Sequence, residues 1–333
     1  MTTPKPNFRP RPSVSAVLLL WGVFLHSPVA SFAANGDCSQ PVSDGAAPVA
    51  SDCLFILNAG IGLQTCSPAC ICAPTGTLPP KATDALLCLN ASVGVPVTLN
   101  CPCEPVNTEG DDFNDNDRDK ARWGTADVDG NGQLEEKNQR LEYRCGSGTA
   151  DDGEDWEWIA TAVPLDTNWE IQIDLVNLTV PSQNDQVNSF GFGVYNPADL
   201  GDEVYAEMYA SHLGGPPSRN GFYAEMYNND AYVGEADSGG SDVTTGAVRM
   251  LFDGSSKVVT TQYDTDPSNG YQWTPYGTFG IAGFGGSNGN ADWGLSDSDV
   301  LSVYVYGYSA RMKVEAGKMW GDNFVVTGGV PVP

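Results

Sequence analysis

The sequence predicts a mainly β protein: a two-sheet antiparallel sandwich over residues 111–328, preceded by a small helical module stapled with disulfides. Three observations predict it. Short apolar–polar alternations recur from Asp111 onward, separated by turn clusters, and alternation of period two marks half-buried strands. Eight of the nine cysteines lie before residue 104, which is the density of a disulfide framework in an oxidising compartment. Glycine (38) and proline (23) are too frequent for a helical bundle, while 41% hydrophobic and 10% aromatic residues are too many for a disordered chain.

The first element, residues 1–33, reads as a secretory signal peptide. Lys5, Arg9 and Arg11 precede an apolar run from Val14 to Leu25, and Ser31-Phe32-Ala33 supplies small residues for cleavage. The expected location is secreted, extracellular or at the cell surface. No later stretch reaches membrane-spanning length.

Residues 34–104 form the cysteine-rich module. Asp52–Gly62 aligns with Asp84–Gly94 at an offset of 32 residues. Each copy places apolar groups at i, i+3, i+4 and i+8: Cys53, Ile56, Leu57 and Ile61, then Ala85, Cys88, Leu89 and Val93. That is one face of a short helix. Ser51 and Thr83 are expected N-caps, with Gly62 and Gly94 just past the helix ends. Two such helices bury too little to fold alone, so disulfides must hold them. Cys53 and Cys88 can come within bridging range, and Cys145, far along the chain, is the expected unbridged thiol. Zinc is disfavoured, because the spacings are CxxxC and CxC without nearby histidine.

These residues resemble the duplicated dockerin module, two EF-hand-like calcium loops each followed by a helix. The ending Asp84-Ala85-Leu86-Leu87 through Pro96-Val97-Thr98-Leu99-Asn100-Cys101 carries the likeness. The resemblance implies an adaptor for assembly or attachment, with a cohesin-like protein partner. The chain departs from the family at the metal. Where the family places acids, the loops hold Pro41, Ser43 and Gly45, then Ala73, Thr75 and Thr77; only Asp52 and Asp84 survive at position 12. Calcium needs six to eight oxygens, so these degenerate loops are not expected to bind it.

Residues 105–110 read as a linker, 111–328 as the sandwich and 329–333 as a C-terminal tail. Acids outnumber bases 42 to 16, for a formal charge of −26. Such a surface repels phosphate backbones and anionic lipids, so nucleic acid is not an expected partner. The stretch is similar to the concanavalin A-like lectin/glucanase jelly roll. The carriers are Asp111-Asp112-Phe113-Asn114-Asp115 with Trp123, the strand and turn Arg249–Gly254, and the closing Gly321-Asp322-Asn323-Phe324. The likeness implies that first and last strands pair, bringing Phe113 near Phe324. The fold hosts lectins, glycanases and purely structural domains.

The candidate site is a repeated motif. Tyr205-Ala206-Glu207-Met208-Tyr209 recurs as Tyr223-Ala224-Glu225-Met226-Tyr227. In strands the Ala/Met faces suit the core, and the Tyr/Glu faces suit an exposed sheet surface. Tyr304, Tyr306 and Tyr308 alternate in the same way. Glycans need aromatic faces beside carboxylates, so these nine residues are the candidate carbohydrate-binding set and a polysaccharide or glycan the expected partner. A plain exterior rich in β-formers is the competing reading. A symmetric hairpin would set Glu207 directly against Glu225, an expected pair of neighbours on one exposed face. That pair keeps a glycoside hydrolase open as an alternative, although the chain leans away from an enzyme because no compact acid motif is found. A structural or adhesion protein without a small ligand is the third reading. Asp127, Asp129 and Asn131 match half of an EF-hand loop and are candidate calcium ligands, with a polar turn as the favoured reading because Asn138 stands at position 12.

Overall fold

The structure is a computed structural model that describes residues 38–43, 47–64, 66, 69–77, 79–101, 108–146, 148, 151–212, 219–239 and 242–332. The segment read as a signal peptide lies outside the described residues. The chain divides into two compact units, with the cut between residues 106 and 107. No helix among the described residues is long and apolar enough to cross a membrane.

The N-terminal unit contains α1 (Ala50–Gly60) and α2 (Ala82–Ser92), with a short 3-10 turn, Ala69–Cys72, between them. The 32-residue offset of the repeat is retained. Cys53 and Cys88 join the helices with a Cα separation of 5.4 Å, as expected. Cys38–Cys101 and Cys66–Cys72 close two further loops. Gly62 and Gly94 both take φ of 77°, the left-handed conformation that ends a helix at little cost to glycine.

The helix starts differ from expectation. They begin ahead of Ser51 and Thr83, and the capping groups are the aspartates. Asp52 Oδ2 accepts the Val49 N–H (2.8 Å), and Asp84 Oδ2 accepts the Lys81 N–H (2.7 Å). The same carboxylates also face back into the loops. Asp52 accepts the Ser43 hydroxyl at 2.6 Å, and Asp84 the Thr75 hydroxyl at 2.7 Å. Asp52 Oδ1 also accepts the N–H groups of Val42 and Ser43. A hydroxyl at the third loop position thus satisfies the carboxylate that a cation would otherwise neutralise.

The second unit is a two-sheet sandwich, with seventeen short and long strands among the described residues. In chain order they are β1 Thr108–Asp111, β2 Trp123–Asp129, β3 Gly132–Glu136, β4 Leu141–Cys145, β5 Asp151–Pro164, β6 Trp169–Asn177, β7 Gln186–Asn196, β8 Asp199–His212 and β9 Arg219–Asn228. There follow β10 Ala231–Asp237, β11 Thr245–Asp253, β12 Val258–Asp264, β13 Thr274–Gly280, β14 Gly289–Asn290, β15 Val300–Ala310, β16 Val314–Thr327 and β17 Val330–Pro331. One sheet runs β14-β13-β12-β11-β6-β16-β4-β3, with β1 on β16; the other runs β10-β9-β8-β7-β15-β5-β17, with β2 on β5. Thr108 to Gly110, read as linker, belong to β1, and the tail contributes β17.

The first and last long strands pair as the resemblance implied, with Asp111 opposite Phe324. An aromatic cluster sits beneath them. Trp123 lies 5.9 Å from Phe113, 4.9 Å from Trp158 and 5.2 Å from Phe324, centroid to centroid. Its indole N–H donates to Asp111 Oδ2 at 2.7 Å, so the buried ring keeps a partner for its polar edge. Strand β6 alternates as its sequence demands, with Trp169, Ile171, Ile173 and Leu175 buried in the core between the sheets. Ala206, Met208, Ala224 and Met226 join the same core, as expected. Cys145 keeps a buried thiol, 2.9 Å from the Ser309 hydroxyl.

Candidate functional site

Strand register determines what the second sheet presents on the face turned away from the core. One row crosses it as Glu235 (β10), Glu225 (β9), Tyr205 (β8), Gly193 (β7), Tyr304 (β15) and Glu157 (β5). The next row is Asp237, Tyr223, Glu207, Gly191, Tyr306 and Asp155, ending at Asp127 on β2. A third holds Gly221, Tyr209, Ser189, Tyr308, Gly153 and Asp129. The expected residues therefore share one face, together with six acids from β2, β5 and β10.

The hairpin register differs from the symmetric one. Glu225 lies opposite Tyr205, and Glu207 opposite Tyr223. The pairing is displaced by two residues, which preserves the faces but separates the glutamates onto a diagonal. The physical reason is electrostatic: like charges directly opposed destabilise a sheet, whereas a phenol opposite a carboxylate can donate to it. Tyr205 donates to Glu225, and Tyr306 reaches across β7 to Glu207. The Tyr223 hydroxyl lies 2.7 Å from Glu235 and 3.3 Å from Glu225. Tyr195 donates to Glu157 at 2.9 Å, and Tyr209 to Asp237 at 3.1 Å.

Strand β7 makes room for these crossings. A Cβ on Gly193 would stand 2.5 Å from the Tyr304 hydroxyl oxygen and 2.6 Å from its ring. The Tyr304 side chain therefore lies flat across the glycine, with its hydroxyl 3.4 Å from Glu203 on β8.

The expectation of an exposed tyrosine surface is corrected. Tyr205, Tyr209, Tyr227, Tyr306 and Tyr308 are buried, as are Glu207 and Glu225; Tyr223 and Tyr304 are half-buried. They bury one another, in a cluster distinct from the core between the sheets. Tyr205 meets Tyr306 edge-on at 5.8 Å, and Tyr209 meets Tyr223 edge-on at 5.9 Å. Most ring faces are thus occupied by neighbouring rings. The accessible aromatic is Tyr232, 43% exposed, whose ring abuts Tyr227 at 6.3 Å. Sequence reasoning missed it because a bulge between Tyr232 and Gly234 breaks the alternation of β10.

Burial governs the electrostatics. It raises the Glu207 carboxyl from 4.5 to about 7, with Glu225 adding to the shift and hydrogen bonds from Tyr306 and Ser189 opposing it. Burial also raises Glu225, against the donating phenols. Asp155 is pushed from 3.8 to about 8, first by burial and then by Asp127, Glu154, Glu157 and Glu203. The phenols of Tyr205, Tyr304 and Tyr306 are held far above their ordinary value by burial and by the surrounding acids. At neutral pH Glu207 and Asp155 are thus partly protonated, among neutral phenols.

The candidate calcium ligands stand where β2 turns into β3. Asp127 and Asp129 lie on β2 of the second sheet, while β3 belongs to the first, so Gly130 and Asn131 turn the corner between sheets. Gly130 takes φ of 67° for that turn. Asn131 points its backbone and side-chain N–H groups at Asp152 Oδ1 instead, at 2.7 and 3.4 Å. No group of three or more His, Cys, Asp or Glu side chains among the described residues is arranged to hold a metal ion.

No protein-family model matches the chain, and no curated protein does. The chain has low similarity to several solved structures. The winged bean acidic lectin, complexed with methyl-α-D-galactose, is 11% identical with a TM-score of 0.42, over 66% of this chain and 98% of that one. Lectin I from Ulex europaeus, in complex with the methyl glycoside of α-L-fucose, is 12% identical with a TM-score of 0.41, over 67% and 98%. The CBM2 module of the evolved Dit of Lactobacillus casei BL23 phage J-1 is 9% identical with a TM-score of 0.44, over 68% and 98%.

Proposed function

We propose that this chain is a secreted carbohydrate-binding protein whose ligand lies on the outer face of the second sheet. The supporting observation is the array of phenols and carboxyls on Tyr205, Glu207, Tyr209, Tyr223, Glu225, Tyr227, Tyr304, Tyr306 and Tyr308. A plain exterior gains nothing from burying acids beside one another, because desolvation penalises each charge. Such local conflicts concentrate at functional sites. Phenols and carboxyls at regular strand spacing supply donors and acceptors for sugar hydroxyls, and Tyr232 supplies the accessible ring at the rim. Binding of the purified full chain to a glycan array tests this. The expected result is retention of a defined glycan set, weakened by Tyr232→Ala; an array without any bound glycan would overturn the reading.

Binding is favoured over hydrolysis. Retaining glycosidases set two carboxyls about 5–5.5 Å apart, one ionised as nucleophile. Burial holds both Glu207 and Glu225 toward the neutral form. Release of reducing sugar from a bound glycan would reverse that preference.

A second reading concerns the N-terminal unit, as a dockerin-like adaptor for a cohesin-like partner. The feature in its favour is an exposed apolar set that repeats with the helices: Leu54 and Leu86, Leu57 and Leu89, Ile61 and Val93. Exposed apolar groups in a repeated pattern mark protein-interaction surfaces. Calorimetric titration with a cohesin domain tests it, and Leu54→Asp with Leu86→Asp should abolish the heat. N-terminal sequencing of exported protein, expected to begin after Ala33, tests secretion.

A further inference from the structure

We propose that the first sheet carries a separate saccharide site at the connection between β12 and β13, built to hold a neutral hexopyranose unit against the exposed ring of Tyr271. It lies on a different sheet from the face described above and does not depend on it.

The connection is braced from within. Asp264, the last residue of β12, is buried, and its carboxylate accepts the N–H of Asp266 at 2.8 Å and that of Gln272 at 2.5 Å. One side chain thereby ties the two arms of the loop together. Asp266 in turn accepts the Ser268 hydroxyl and the Asn269 amide, each at 2.5 Å. The braced loop borders a cavity of about 330 Å³, whose lining includes Asp264, Thr265, Asp266, Asn269, Gln272 and Thr274. That volume suits a small ligand. Thr265, Asn269, Gln272 and Thr274 are exposed, so hydroxyls and side-chain amides stand where a ligand would enter.

The neighbouring ring is braced as well. Ala247 separates Asp264 from Asp174 in the ladder, and the Tyr271 hydroxyl donates to Asp174 Oδ1 at 3.0 Å. Trp273 stacks on Tyr271 with centroids 4.9 Å apart and planes 9° from parallel. The Arg249 guanidinium stands over the Trp273 ring at 4.4 Å. Glu170 holds that guanidinium at 3.1 Å and Gln262 at 2.6 Å. Trp273 thus covers one face of the Tyr271 ring, and the ring remains 40% exposed. A lone exposed aromatic calls for no explanation. A ring fixed by a hydroxyl bond and a layered stack, beside a braced cavity, loses little freedom when a ligand settles on it.

The lining selects the ligand. The apolar C–H face of a pyranose suits an aromatic ring, while its hydroxyls suit amides, threonines and carboxylate oxygens. Asp174, Asp264 and Asp266 would repel an anionic sugar. A wholly apolar ligand would leave the polar lining desolvated and unpaired.

The test titrates the full chain by calorimetry with neutral gluco-, manno- and galacto-oligosaccharides, beside oligogalacturonate and a polyproline peptide. One neutral series is expected to bind. Tyr271→Ala should weaken it about tenfold or more through lost stacking, whereas Tyr271→Phe, which keeps the ring, should stay within about threefold. Gln272→Ala, an exposed change in the cavity wall, is the second variant should loss of the ring disturb the loop; weaker binding at an unchanged melting temperature is expected. Where both sheets bind, each chain shows two sites, and Tyr271→Ala removes one while Tyr232→Ala weakens the other. Loss with Tyr271→Ala alone would support this inference and overturn the second-sheet reading. Loss with Tyr232→Ala alone, with Tyr271→Ala and Gln272→Ala both within about twofold of wild type, would overturn this inference and leave that reading standing. Preference for oligogalacturonate, or binding of polyproline in place of every sugar, would overturn the inference.

Discussion

Replacing Glu207 with glutamine measures the electrostatics of the outer face directly. Glu207 is buried on β8, accepts a hydrogen bond from Tyr306 and lies near Glu225. Its carboxyl rises from 4.5 to about 7 on folding. Between those values the folded chain holds a proton that the unfolded chain has released. Folding then takes up a proton, so stability falls as pH rises. The contribution is fully present below 4.5 and lost by the time pH passes about 7. One unit corresponds to about 1.4 kcal/mol, so the window spans roughly 3 kcal/mol. Glutamine stays neutral throughout and removes this dependence. The assay is urea unfolding of the full chain from about pH 5 to about pH 8, followed by tryptophan fluorescence. Seven of the eight tryptophans, all but Trp21, lie in the sandwich unit, so that unit dominates the signal. The wild type should lose roughly 2–3 kcal/mol more than the variant across this range. A difference between the two chains that does not vary with pH would refute the argument.

Other expectations follow from particular contacts. Gly193→Ala should destabilise the sandwich by about 1–3 kcal/mol, because the new methyl collides with the Tyr304 ring; an unchanged melting temperature would show that the ring moves freely. Asp84→Ala removes the acceptor for Lys81 N–H, Thr75 N–H and the Thr75 hydroxyl, and should cost the N-terminal unit about 1–2 kcal/mol by loss of helical circular dichroism. Chelator should leave that helical signal intact, since hydroxyls already satisfy Asp52 and Asp84. Reductant should diminish it, because bridges of small domains contribute about 2–5 kcal/mol each.

Much of the architecture is written locally. The two helices follow from the 32-residue repeat of apolar positions and from Gly62 and Gly94, whose left-handed backbone ends each helix. The Cys53–Cys88 bridge follows from their matched places in the repeat. The strands at Trp169–Asn177 and Thr245–Asp253 follow from alternation alone, and so does the separation of the Ala/Met face from the Tyr/Glu face. These features depend on residues near one another in the chain, where periodicity carries the information.

What tertiary structure decided is how the faces were filled. Alternation assigns Tyr205 and Glu225 to one side of a sheet but is silent on a register slip of two residues, since both registers keep the faces. Repulsion between Glu207 and Glu225 and donation from phenols select the slipped one. Strand β5 was hidden by its acidic start, although Trp156 and Trp158 alternate with Asp155 and Glu157. Its place beside β15 brings Asp155 into the rows. The tyrosines are buried partly because Tyr304 and Tyr306 cross a glycine-bearing strand more than a hundred residues earlier in the chain. The candidate calcium loop became a corner because its two flanking strands joined different sheets. Local sequence sets which side a residue faces; only long-range pairing sets which neighbours, charged or neutral, it meets there.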